Sequence, residues 1–254
     1  MTVAIFKTVV CFAYLALAAV GLVPIAVVAI LLRPLGLKRQ MSVLIYRVAQ
    51  GWSLSMISFI GCPMTVTGRE NIPIEGGVCF VGNHSGIADI LMLLAYAGRP
   101  VGFIAKKELL AVPLINMWIS VIGGFFIDRK NPRKALATIN SGVQRLRSGG
   151  AMIVFPEGSR SRGRGLGPFR PGAFRLATGS GAAIVPVAIS GTYGLFEKNR
   201  RVVPCPVSVA FLEPIQTEGI PDDERKIVLA ERVRSAIAAA LSGNADGGEN
   251  ENSA

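Results

Sequence analysis

The chain has 254 residues, 51% of them hydrophobic and 17% charged, with a formal net charge of +11. That length suits one domain of ordinary size plus an appendage, and a chain both apolar and basic fits an anionic partner at an apolar boundary, such as a phospholipid surface. A nucleic-acid partner would suit the charge too, but aromatics are only 7% and no zinc-finger or RNP-type pattern interleaves with the basic residues; a single histidine excludes a multi-histidine metal site.

The first predicted element is the uninterrupted apolar run from Val9 to Leu32, long enough to cross a bilayer as a helix. It is too long for a signal peptide and lacks the small-residue cleavage pattern. Pro24, close to Gly21, removes a backbone donor and predicts a kink. Lys7 flanks the run on one side and Arg33, Lys38 and Arg39 on the other, which by the positive-inside tendency puts the bulk of the chain on the cytoplasmic side. A second helix is predicted over Gln40 to Ile60, with Leu44, Ile45, Val48, Trp52, Met56 and Phe59 at helical spacing. Its polar residues, Arg47, Gln50 and Ser53 among them, favour a place in the membrane interface or against the first helix; the alternative is a core helix of the globular part.

From Pro63 onward short apolar runs alternate with helical stretches. Strands are predicted at Val78 to Gly82, Val101 to Ala105, Ala151 to Phe155, Ala183 to Ile189 and Pro206 to Phe211. Helices are predicted at Ile90 to Ala97, Leu114 to Val121, Arg133 to Leu146 and Asp222 to Leu241. The expected fold class is α/β, a layered sheet with flanking helices, preceded by an N-terminal two-helix membrane motif. The expected division is a membrane-anchoring region at 1–60, a globular domain at 61–242 and a disordered polar tail at 243–254. Cys11, Cys62, Cys79 and Cys205 have no CxxC spacing and read as buried reduced thiols.

Four segments carry chemistry. The strand at Val78 runs into NHSGIADI, which places His84 in a strand-to-helix turn and Asp89 in the first helical turn, where the carboxylate can reach back to the imidazole. A carboxylate on one ring nitrogen leaves the other basic, the base-plus-orienter half of a catalytic triad, with no serine needed if a substrate supplies the hydroxyl. The pair also fits a turn histidine and an aspartate that merely suits the helix dipole. FPEGSRSRGRG, Phe155 to Gly165, sets arginines beside a glycine-rich turn, suited to a phosphate through bidentate bonds and backbone donors, and equally to a solvated basic loop. GGFFIDRK, Gly123 to Lys130, reads as a strand ending in an ion pair. IVPVAISG, Ile184 to Gly191, reads as a buried strand with Pro186 near its end or at a bulge.

In order, these blocks resemble those of the glycerolipid acyltransferase family, within it the bacterial 1-acylglycerol-3-phosphate acyltransferases, over roughly Gly68 to Phe211. The resemblance implies a glycerol-3-phosphate acyltransferase-like fold, with His84 as catalytic base and Asp89 as its partner. It also implies Glu157, Gly158, Ser159 and Arg160 as acceptor-binding residues, with Arg129 and Lys106 as further substrate contacts. Ser159 stands where the family most often has threonine and keeps the hydroxyl. The implied reaction moves an acyl group from an acyl thioester, of coenzyme A or acyl carrier protein, to lysophosphatidic acid at the cytoplasmic side of the inner membrane. It needs no metal or other cofactor, and the partners are the phospholipid membrane and these substrates, not nucleic acid. In this family the N-terminal helices anchor in one leaflet, so they need not span. Other readings are acyl transfer to a different lyso-lipid, such as a lyso-ornithine lipid, and a non-catalytic lipid-binding protein.

Overall fold

The computed structural model describes residues 2–217 and 225–246. In chain order the elements are α1 (Thr2–Gly21), α2 (Val23–Leu32), α3 (Lys38–Ile60), β1 (Met64–Thr67), β2 (Val78–Gly82), α4 (Ala88–Tyr96), β3 (Val101–Lys106), α5 (Ile115–Ile122), β4 (Phe125–Ile127), α6 (Pro132–Arg147), β5 (Ala151–Val154), α7 (Arg175–Ser180), β6 (Ala183–Ser190), α8 (Thr192–Leu195), β7 (Val207–Phe211) and α9 (Arg225–Asp246). The strands form one sheet in the order β1-β7-β6-β2-β5-β3-β4. β2, β3, β4, β5 and β6 are mutually parallel; β7 runs antiparallel to β6, and β1 runs with β7. The central strands β2 and β5 are buried along their whole length, which accounts for their continuous apolar runs: a parallel sheet covered on both faces has no solvent side to pattern.

Alternate residues of the strands feed two cores. One face sets Val78 and Phe80 with Ile153, Val187 and residues of α3 and α4. The other sets Cys79 and Val81 with Met152, Ile184, Ala188 and residues of α6, α7 and α9. Phe80 is fully buried and meets Phe211 edge-on, ring centroids 5.9 Å apart. Cys79, in the second core, has its thiol pushed up to about 12 by burial alone, as an inert structural cysteine should.

The predicted kink is present: the apolar run is helical on both sides of Leu22, one residue before the Val23-Pro24 start of α2. Ala4–Leu32 is long and apolar enough to cross a membrane and little of it is buried, leaving Phe6, Val9, Leu17, Val20 and Leu31 on an exposed face. Such an apolar area marks a contact surface. α3 combines both expectations for it. Tyr46, Met56, Ile57 and Ile60 enter the core beneath the sheet, while Val43, Leu44, Leu54 and Phe59 stay exposed. The N-terminal helices thus share a core with the globular part, and Trp118 of α5 donates to the Ala19 carbonyl at 3.0 Å.

Two expectations change at the chain's second half. The last helix, expected over 222–241, begins within the described residues at Arg225, with 222–224 outside them. It continues to Asp246, four residues into the expected tail; residues 247–254 lie outside the described residues. Pro186 sits inside β6, not at its end, and the bulge reading holds. From the pair Val187↔Phe211 to the bridge Ile184↔Ile215 the chain advances three residues on β6 and four on the other side. The extra residue falls where Pro186 has no N–H to give, while its carbonyl still accepts from Leu212.

Replacing Phe80 by alanine empties a fully buried aromatic site in the sheet-side core. Chemical unfolding of the detergent-solubilised protein should show a loss of about 3–5 kcal/mol.

Candidate active site

The five parallel strands end on one edge of the sheet, and every residue singled out from the sequence leaves from that edge. β2 delivers the Asn83–Gly86 turn, β3 ends on Lys106, β4 is followed by Asp128 and Arg129, and β5 by the Phe155–Gly165 loop. This is where open α/β sheets place their ligand crevices.

The turn after β2 is held by side chains acting as backbone. Asn83 donates from Nδ2 to the Ile189 carbonyl and accepts from the Ile189 N–H, both at 2.8 Å, so its amide continues the β2–β6 ladder by one step. Asp89 is fully buried at the start of α4. Its Oδ2 lies 2.7 Å from His84 Nδ1 and accepts the N–H groups of Ser85 and Gly86 at 2.8 and 3.0 Å. Its Oδ1 accepts from the Thr192 hydroxyl, at the head of α8. An ionised carboxylate only accepts, so Nδ1 is the donor in this contact, and in the neutral imidazole the lone pair then sits on Nε2. Nε2 has no hydrogen-bond partner among the described residues. The imidazole stacks on Phe155, centroids 4.1 Å apart and planes 15° apart, which sets its tilt.

The Phe155–Gly165 loop is strapped across this turn. Ser161 donates its N–H to the His84 carbonyl at 2.7 Å. Glu157 is buried, and its two oxygens accept the N–H groups of His84 (2.7 Å) and Gly167 (3.2 Å). The resemblance implies Glu157 as an acceptor-binding residue; in the structure its carboxylate faces the backbone of the turn and the loop. Both of its oxygens help fasten the loop to the turn; a carboxylate has no donor to offer a phosphate, and its remaining lone pairs are free to accept from a hydroxyl. Gly158 has φ of 75°, and a Cβ there would crowd the Arg170 guanidinium at 3.3 Å. Its carbonyl accepts from Arg129 at 2.6 Å, which ties the β4 end to the loop.

The remaining expected residues form a basic rim. Lys106, Arg129 and Ser159 are exposed, and Arg160 is about one-third exposed. The ion pair expected at the end of β4 exists, but Asp128 pairs with Lys107 at 2.8 Å and not with Arg129. The hydrogen bond from Lys107 holds the Asp128 carboxyl below its usual range, so the pair is charge-neutral and leaves Lys106 and Arg129 as the local cations. Arg160 Nη1 donates to Glu197 Oε1 at 2.9 Å. Thr192 and Glu197 escape sequence reasoning: they follow the fourth block with no periodic or motif signal of their own, and only the fold brings them to the turn.

The family model for acyltransferases matches residues 63–190, which hold the turn, the basic loop and the strands that carry them. The chain belongs to the acyltransferase family. Among the similar proteins of this family are the 1-acyl-sn-glycerol-3-phosphate acyltransferases of Borreliella burgdorferi (34% identical over 139 residues, 55% of this chain and 56% of the relative) and Haemophilus influenzae (34% over 150 residues, 57% and 60%). That of Saccharomyces cerevisiae is 32% identical over 188 residues, 70% of this chain and 59% of the relative. The matched part of the chain thus spans little more than half the length of these relatives. The crystal structure of the 1-acyl-sn-glycerophosphate (LPA) acyltransferase PlsC from Thermotoga maritima has the same fold, with a TM-score of 0.81 over 94% of this chain and 95% of that one at 24% identity.

In this chain Thr192→Val keeps side-chain volume but removes the one donor to Asp89 Oδ1 among the described residues. A buried carboxylate oxygen left without it should lower unfolding free energy by about 1–3 kcal/mol, read by chemical unfolding against the wild type.

Proposed function

We propose that this chain transfers an acyl group from an acyl thioester to the free sn-2 hydroxyl of 1-acylglycerol-3-phosphate, giving phosphatidic acid. The observation that carries the proposal is the His84–Asp89 pair with Nε2 left open at a strand edge rimmed by Lys106, Arg129 and Arg160. The names of the relatives support the same acceptor. The exposed face of α1 and α2 supports a membrane site of action, where such a lyso-lipid resides.

In this reading the acceptor's phosphate pairs with the basic rim while its acyl chain stays in the bilayer. Nε2 of neutral His84 takes the proton of the sn-2 hydroxyl as that oxygen attacks the thioester carbonyl carbon. The tetrahedral intermediate collapses with cleavage of the carbon–sulfur bond, and the imidazolium returns the proton to the leaving thiolate. Asp89 holds the ring in the required tautomer and balances its transient charge. The donor is the thioester of coenzyme A or of acyl carrier protein, with the globular part on the cytoplasmic side. Neither a metal nor another cofactor enters these steps.

The direct test is mass spectrometry of products after incubation with labelled acyl thioester and a panel of lyso-lipids. Labelled phosphatidic acid is expected, and labelling only of a phosphate-free acceptor would sink the acceptor assignment. His84→Ala should lower kcat by at least about 10²- to 10⁴-fold, the usual weight of general base catalysis, while the protein still co-sediments with liposomes. Arg160→Ala should raise KM for the acceptor more than KM for the donor; equal weakening of both would make the loop a structural element.

A further inference from the structure

Glu197 belongs to none of the four sequence blocks, yet it touches two of them. Its Oε1 accepts the N–H of Ile87, in the turn between His84 and Asp89, at 2.7 Å, and also the Arg160 guanidinium at 2.9 Å. Its Oε2 is buried and has no hydrogen-bond partner among the described residues. The Glu197 side chain is 14% exposed against 35% for Arg160, so the acid lies inside and the arginine above it. Space for this carboxylate depends on Gly86: a Cβ at that position would stand 3.0 Å from Oε2 and 3.0 Å from the Thr192 carbonyl. The glycine of the NHSG turn therefore admits Glu197 to the turn.

Two physical consequences follow. A guanidinium on a flexible stem loses side-chain entropy when it binds a phosphate, and anchoring one of its nitrogens beforehand reduces that loss. An arginine has five N–H donors, so a contact through Nη1 leaves others for a bidentate grip on an anion. The carboxylate itself would repel a phosphate if it were bare, but here its charge is balanced by the arginine it holds and by a backbone donor at the start of α4.

We propose that Glu197 is a positioning residue for the acceptor: it fixes the Arg160 guanidinium over the His84 turn and thereby sets affinity for the phosphate of an anionic lyso-lipid. This rests on the functional reading above for the identity of the acceptor. The residue touches Arg160 and the turn backbone, and acts on the substrate through the arginine.

The test pairs binding with turnover in wild type, Glu197→Ala and Glu197→Gln. Binding of 1-acylglycerol-3-phosphate is compared with that of the phosphate-free 1-acylglycerol in the same detergent micelles. Wild type should prefer the phosphate-bearing lipid, Glu197→Ala should lose about tenfold of that preference, and Glu197→Gln, which keeps a carbonyl for one of the two donors, should recover part of it. In turnover the Glu197→Ala loss should fall mainly on KM for the acceptor, not on KM for the donor. A Glu197→Ala protein with undiminished phosphate preference overturns the proposal. So does a loss shared equally by both substrates together with a lowered melting temperature, which a purely structural carboxylate would give. Wild type that prefers the phosphate-bearing lipid, loses the preference on Glu197→Ala, yet transfers no acyl group leaves Glu197's role standing and removes the acyltransferase reading instead. Wild type with no preference for the phosphate overturns both.

Discussion

The site depends on one buried carboxylate. Asp89 has no solvent exposure, and taking an ion out of water costs several kcal/mol unless donors replace the water. It is met by four donors: the His84 ring, the Ser85 and Gly86 N–H groups and the Thr192 hydroxyl. Those donors come from two places, the residues after β2 and the head of α8, and Asp89 itself stands in the first turn of α4. Satisfying Asp89 therefore closes the His84 turn, aims the imidazole and docks the chain after β6, all by the same contacts. Hydrogen bonds to a charged acceptor are the strong ones, which suits a turn that must hold a base in a single tautomer.

The sheet supplies the rest by direction alone. Because β2, β3, β4, β5 and β6 run parallel, the segments that follow them all emerge at one edge, and blocks far apart in sequence become neighbours without further contrivance. The reversed pair β1 and β7 adds width and burial on the far side. The N-terminal helices join from the face that holds Phe80 and Ile153, sharing its core through Tyr46, Met56 and Ile57. Any orientation that α1 and α2 take in a lipid surface is thus transmitted to the sheet, and through it to the strand ends, by packed side chains and not by a linker.

Much of this was legible in the sequence, for reasons that differ by element. β2, β5 and β6 announce themselves because two-sided burial demands unbroken apolar runs. The kink at Pro24 and the bulge at Pro186 follow from a missing N–H, a local property. The His84–Asp89 pair was readable because both partners lie within one turn. α3 was ambiguous because a helix with one face in a core and another exposed and apolar has the same periodicity in either setting. β1 was hidden by its brevity, and the end of α9 by residues of poor helix propensity, Gly243 and Asn244, that the fold nonetheless carries in the helix. The fastening of the loop to the turn by Glu157 was not legible, because a motif gives a residue's presence and not the direction of its carboxylate. Thr192 and Glu197 were out of reach because their partners lie far away in the chain, from 37 to 110 residues.

The acids of the site share a pattern that explains how a basic pocket can contain them. Asp89, Glu157 and Glu197 each accept at least one backbone N–H of the turn that carries His84: Ser85 and Gly86 for Asp89, His84 for Glu157 and Ile87 for Glu197. Successive backbone donors from His84 to Ile87 thus form a concave run of partial positive charge, the kind of surface that binds anions. In this chain its own carboxylates occupy that run. The acids shape the turn, and the positive charge of Lys106, Arg129 and Arg160 remains at the rim. An anionic substrate is then drawn to the rim, beside the imidazole, and not into the turn itself, where it would compete with the contacts that keep the base in place.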